Sequence, residues 1–165
     1  MIAVTDTSPL NYLILLGYVD VLRELYGKLL APRAVFAELS HPKAPSEVRI
    51  WIAEAPSWLE FVPVDRLDPT LPTQLGAGER EAISLAQKDP ASLLIIDDYA
   101  ARIAAEERKI EITGTLAVVR KASLRGRLVF KEAITNLRES GFPISPRLES
   151  AILTRYEEEL KLRRQ

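Results

Sequence analysis

Two rhythms of apolar residues alternate along this chain. Short runs of strand length are followed by stretches in which apolar positions recur every three or four residues. The first run, Ile2–Thr5, is rich in β-branched residues and breaks at Asp6-Thr7-Ser8-Pro9. Ser8 is a suitable helix cap, with Pro9 at the first helical position. Leu10, Leu13 and Ile14 then mark one face of a helix that stops near Gly17. A short helix over Val19–Tyr26 is predicted to end at Gly27, because glycine readily takes the left-handed conformation after a helix. Further strands are predicted over Lys28–Ala31, Leu59–Val64, Leu93–Ile96 and Ile110–Thr113. The intervening helical patterns cover Arg33–Leu39 after Pro32, Ser46–Ala55, Glu79–Gln87, Tyr99–Arg108 and Leu116–Leu124. Two more, Lys131–Glu139 and Pro146–Arg163, close the chain, and Asp65–Gly78 reads as a long loop. This order predicts an α/β fold, an α/β/α sandwich around a mostly parallel sheet of about five strands. In such sheets ligands bind at the carboxyl ends of the strands, so the placement of acids becomes informative.

Asp and Glu account for 23 of 165 residues, so an acid as such means nothing. Position is what distinguishes them. Asp6 directly follows the first strand, and Asp97-Asp98 directly follow the most apolar one, so these acids are expected at one sheet edge. Glu38 lies near the end of the helix after the second strand, and Glu79 opens a helix after Gly76-Ala77-Gly78. Each has a structural alternative: Asp6 and Asp98 as helix caps, Glu38 as a solvated helix residue, Glu79 as a partner of the helix dipole. Carboxylates gathered in one cleft repel one another unless cations neutralise them. An all-oxygen donor set suits Mg²⁺ or Mn²⁺.

The rest of the composition excludes more than it adds. No cysteine is present, which removes disulfides, thiolate zinc sites and a cysteine nucleophile. The single histidine, His41, sits in a Ser-His-Pro loop and is read as solvated. The start of the chain has no signal-peptide pattern, and no apolar run reaches the roughly 20 residues of a membrane helix. A cytoplasmic location is therefore the expectation. The net charge of −1 gives no global attraction to nucleic acid. From Ile112 to Lys131, however, there is no acid and there are five bases: Arg120, Lys121, Arg125, Arg127 and Lys131. They are either a phosphate-contacting strip or an ordinary solvated face. Trp51 and Trp58 are read as core packing, with a groove for a partner helix or second subunit as the alternative.

Five segments together resemble the PIN-domain family, in the prokaryotic branch similar to toxins of toxin–antitoxin pairs. They are Val4–Leu10, Val35–Leu39, Gly76–Ile83, Leu94–Arg102 and Ile112–Leu116, in the family's order. The resemblance covers about residues 1–126 of a single domain, with 127–165 as a helical extension. It implies Mg²⁺- or Mn²⁺-dependent hydrolysis of RNA phosphodiester bonds, a small antitoxin protein that blocks the site, and a homodimer. It maps the family's acids onto Asp6, Glu38, Glu79 and the Asp97-Asp98 pair, with Asp98 slightly favoured. Ser8 matches the hydroxyl residue that braces the first acid. Glu79 departs from the usual Asp by one methylene. Thr115 matches a position near the site that contacts phosphate, and Arg120 and Lys121 of the basic stretch are the further phosphate contacts expected from charge.

Competing phosphoryl-transfer folds fit less well. A phosphatase of the haloacid dehalogenase type needs Asp-x-Asp after the first strand, where this chain has Asp6-Thr7-Ser8. A receiver domain needs its acidic pair early, and no Gly-x-x-x-x-Gly-Lys loop exists. The remaining alternative is a PIN-like module that binds RNA or a partner without cutting.

Overall fold

The computed structural model describes residues 1–165. Five strands form one all-parallel sheet: β1 (Ala3–Thr5), β2 (Leu29–Pro32), β3 (Leu59–Val62), β4 (Leu93–Ile95) and β5 (Glu111–Thr113). Their order is β3-β2-β1-β4-β5, so the winding reverses between β1 and β4. With the helices this is the expected α/β/α arrangement. The inner strands β1, β2 and β4 are buried almost throughout because both faces of a parallel sheet are covered. The edge strands β3 and β5 carry exposed Glu60 and Glu111. Val4, Leu94 and Ile96 pack into a cluster with Ala82, Ile83 and Ala86 of α5 (Ala77–Ala86) and Ala101, Ala104 and Ala105 of α6 (Tyr99–Glu107). The opposite-facing Ala3, Leu29 and Ile95 are buried as well. Burying each such Leu or Ile side chain stabilises the fold by about 1.5–3 kcal/mol.

The predicted elements are present with shifts at their ends. The first helix, α1, begins at Thr7 and ends at Leu16, capped by Gly17 in the left-handed region at φ 77°. Its N-cap position is Asp6, not Ser8, and no side chain caps it. The next three helices are α2 (Val21–Tyr26), α3 (Arg33–Leu39) and α4 (Ser46–Ala53). Against the expectation, α5 starts two residues before Glu79, so the glycine segment forms its first turn.

The long stretch between β3 and α5 is not loose. Asp68 accepts from the Thr70 amide (2.8 Å) and hydroxyl (2.6 Å), from Gln87 (3.1 Å) and from Arg108 Nε (2.7 Å). Arg108 also donates to the Ala104 carbonyl and to the Thr70 hydroxyl. These bonds pin the loop to the ends of α5 and α6, which fixes where Gly76 and Glu79 begin.

By residue contacts the chain divides into two compact units, Met1–Thr115 and Leu116–Gln165. The second holds most of α7 (Thr115–Leu124), with α8 (Phe130–Glu139) and α9 (Pro146–Arg163). Within it, Phe130 packs against Tyr156 with ring centroids 4.4 Å apart. No helix is long and apolar enough to cross a membrane.

The bonds from Thr70 above all, and from Arg108, hold the Asp68 carboxyl well below the usual carboxylate range. A folded-state pKa below the unfolded value contributes stability above the ordinary value of 3.8, which is lost as pH falls below it. Asp68→Asn should therefore lower the thermal midpoint at neutral pH, and the gap to the parent should shrink as pH drops below about 4. Melting curves in a pH series check this; a gap that does not change with pH refutes it.

Candidate functional site

Strand register assembles the site. Thr5 pairs with Ile95 and Ile95 with Thr113, so Asp6, Ile96 and Gly114 are level at the carboxyl edge, with Asp97 and Thr115 one residue beyond. Two backbone bonds continue the ladder there, Asp6 N to the Ile95 carbonyl (3.0 Å) and Ile96 N to the Thr113 carbonyl (2.9 Å). This edge is also where the strand order reverses, the place where open parallel sheets bind ligands.

Asp6 is the most enclosed acid, only 3% exposed. Its Oδ1 is buried without a hydrogen-bond partner. Burial pushes the carboxyl up to about 8, and the negative charges of Glu79, Glu38 and Asp97 act in the same direction. A backbone bond from Thr7 opposes them.

Asp97 is held from two sides. The Ser8 hydroxyl donates to its Oδ2 at 2.8 Å, and Thr115 donates from its hydroxyl at 2.6 Å and from its amide to Oδ1 at 2.8 Å. Ser8 was expected to brace Asp6; the structure gives its hydroxyl to Asp97, because Ser8 sits inside the first turn of α1 and faces β4. Asp98, by contrast, is exposed and caps α6 through Ala101 N at 2.9 Å. Of the pair, Asp97 is the one whose charge acts on Asp6, while the charge of Asp98 acts on Glu79.

Glu38 and Glu79 are stitched to the backbone around them. The Thr7 hydroxyl donates to Glu38, whose other oxygen accepts from Gly78 N at 3.0 Å. Glu79, the third residue of α5, reaches back to Gly76 N at 2.9 Å, one half of a capping box. Burial raises its carboxyl above the ordinary value, the Gly76 bond opposes this, and Asp98 and Glu38 add to the rise. Neighbouring Glu81 accepts from Ala34 N at 3.0 Å, so α5 also caps the start of α3, the helix that carries Glu38.

A cleft of about 290 Å³ is lined by Asp6, Glu38 and Glu79, by Thr7, Ser8, Asn11 and Tyr12 of α1, and by Gly76. Asn11 and Tyr12 were absent from the sequence expectations. They lie three and four residues beyond Ser8, on one face of the helix, and the polar complement of the apolar stripe was the available signal. No three of the acids converge as a formed cation cage. The residues nevertheless fit a hard divalent ion: the donors are all oxygen, and the orphaned Asp6 oxygen lacks the partner that a cation supplies. Asp6, Glu38, Glu79 and Asp97 are the residues that would hold it. In the second unit, the guanidinium of Arg120, expected to contact phosphate, donates to both oxygens of Glu159 at 2.6 Å. Lys121, also expected at phosphate, is half-buried.

Two glycines are fixed by close approach. A Cβ on Gly78 would lie 2.7 Å from Glu38 Oε2, and one on Gly114 would lie 2.8 Å from Arg102 and 3.0 Å from Asp97 Oδ1. Arg102 in turn donates to the Ile96 carbonyl at 2.8 Å, bracing the strand end that presents Asp97. Because the Cβ on residue 78 would meet only the end of the flexible Glu38 side chain, Gly78→Ala is expected to displace the Glu38 carboxylate and change stability in denaturant unfolding by no more than about 1 kcal/mol. A larger loss would show that the Glu38 side chain cannot yield.

Asp6 makes its own pH signature. Its folded-state value of about 8 lies above the ordinary 3.8, so the neutral carboxyl favours folding below 3.8 and that contribution is lost as pH rises through about 8. Over this window the parent should lose stability relative to Asp6→Asn. Parallel stability curves for the two proteins would refute the shift.

Comparison with known proteins places this architecture. A family model described as a PIN domain (DUF3368) matches residues 2–158, well past the boundary near residue 126 drawn from sequence. No curated protein and no solved structure matches the chain. PIN domains are generally nucleases. With nearly the whole length matched and the parallel five-stranded sheet in place, this chain belongs to the PIN-domain family.

Proposed function

We propose that the protein is a divalent-metal-dependent endoribonuclease that hydrolyses RNA phosphodiester bonds at the cleft between α1, α3 and α5. The observation that carries this reading is the buried, unpartnered Asp6 oxygen among three further carboxylates at the sheet's switch point. Mg²⁺ or Mn²⁺, when bound, would offset the charge of the phosphodiester and make water a better nucleophile. The chain's own groups do the positioning. Ser8 and Thr115 fix the Asp97 carboxylate, the Thr7 hydroxyl and Gly78 amide fix Glu38, and the Gly76 amide fixes Glu79. Holding these acids before substrate arrives removes reorganisation from the reaction. Thr115, expected to contact phosphate, is fully buried and gives both its hydroxyl and its amide to Asp97, so its part is to position that acid.

The same reading extends to the toxin of a toxin–antitoxin pair, with a small antitoxin protein closing the cleft, a homodimer as the working form and the cytoplasm as its location. These parts follow from the resemblance in the sequence. A second reading, a PIN-like module that binds RNA or a partner without cutting, is favoured by one observation. The carboxylates other than Asp6 already accept protein hydrogen bonds, and no three converge.

Cleavage of a mixed RNA pool separates the two. With Mg²⁺ or Mn²⁺ the parent should cut, EDTA should abolish cutting, and Asp6→Asn should reduce it by at least about a hundredfold. Cutting that survives Asp6→Asn would place the chemistry elsewhere. A folded parent that binds Mn²⁺ in titration calorimetry and cuts nothing would favour the binding module.

A further inference from the structure

Tyr99 is 78% exposed, more than any other large hydrophobic side chain in the protein. It forms no hydrogen bond, ion pair or ring contact with the rest of the chain. The other exposed aromatic, Phe36, is partnered by Phe61 at 5.0 Å, and the half-buried Trp51 by Trp58 at 5.9 Å. One exposed aromatic is ordinary on a protein surface. Its place is not ordinary. Tyr99 is the first residue of α6 and directly follows Asp98, whose carboxylate caps that helix and acts electrostatically on Glu79 in the cleft. Helical Cα–Cβ bonds tilt toward the helix N-terminus, so the phenol leans toward the carboxyl edge of the sheet, where the acids lie. The cap and the Arg102 N to Asp98 carbonyl bond (2.9 Å) hold this first turn rigid.

We propose that Tyr99 is a stacking platform for a base of the single-stranded RNA whose backbone enters the cleft, an inference that rests on the ribonuclease reading above. Charge decides for a base over a phosphate. The exposed carboxylates of Glu38 and Asp98 repel a phosphate at this rim, and a phenol gives it no compensating cation. A neutral π-face attracts a neutral base, and stacking of this kind is tolerant of sequence. Tyr99 thus supplies affinity beside carboxylates that would draw a phosphate only through a bound ion, and helps to set the register of the strand across the acids.

The test is binding of a fluorescent single-stranded oligoribonucleotide in the presence of Ca²⁺. This oxygen-seeking divalent ion is used in place of Mg²⁺ or Mn²⁺ to hold back cutting, with the strand checked as intact on a denaturing gel. Tyr99→Ala should weaken binding by about fivefold or more, and Tyr99→Phe should match the parent. The ratio of parent to Tyr99→Ala should stay the same at low and moderate salt, because stacking releases no counterions. An oligonucleotide of the same length without bases should bind parent and Tyr99→Ala equally. If the parent binds the oligonucleotide and Tyr99→Ala binds it as tightly, the platform is refuted and the ribonuclease reading stands. If the parent binds no RNA, both fall. Unchanged RNA binding together with loss of self-association in Tyr99→Ala, read by sedimentation, would assign the side chain to a second copy and overturn the proposal.

Discussion

Parallel pairing of β1 with β4 sets Thr5 beside Ile95, and the cleft is arranged around that register. Because side chains alternate along a strand, a slip of one residue would turn Asp6 from the cleft toward the core and take Asp97 away from Ser8 and Thr115. The register is secured by what it buries. Val4 and Leu94 enter one apolar cluster with α5 and α6, while Ala3 and Ile95 are buried on the opposite face. An apolar core with two covered faces therefore determines where a polar site can form.

The consequence is an acid in an unfavourable place. Asp6 is buried with one oxygen lacking a partner, and its neighbours Glu79, Glu38 and Asp97 add negative charge. Such a group either holds its proton or meets a cation. The remaining acids avoid the same conflict by accepting hydrogen bonds from Thr7, Ser8, Thr115 and the amides of Gly76 and Gly78. This division of labour explains why glycines are needed at 78 and 114. A Cβ at either position would occupy the space that the acceptor oxygens or Arg102 take.

Support for the site extends to residues that never approach it. Asp68 and Arg108 pin the loop that delivers Gly76, and Glu81 ties the start of α3 to α5. Loops are usually mobile where few bonds hold them; this one is bound at both its polar turns and its buried Leu71 and Leu75. Glu38 and Glu79 thus sit on helices whose mutual position is set by hydrogen bonds as well as by packing.

The apolar periodicity of the sequence determined the number and order of strands and helices, and so the sandwich, because the strand and helix periods differ and both faces of a parallel sheet must be apolar. It also placed Asp6 and Asp97 at one edge, since each follows its strand directly. What it left open were contacts between residues far apart in the chain. Ser8 reads locally as a cap, yet its hydroxyl goes to a residue 89 positions away. The resemblance slightly favours Asp98 over Asp97, yet the start of α6 takes Asp98 for capping and leaves Asp97 to Ser8 and Thr115. Arg120 reads as a free cation until Glu159 is brought beside it by the helices of the second unit. Local pattern fixes elements because propensity and burial act over a few residues. The partner of a polar side chain is decided by packing, which only the tertiary structure contains.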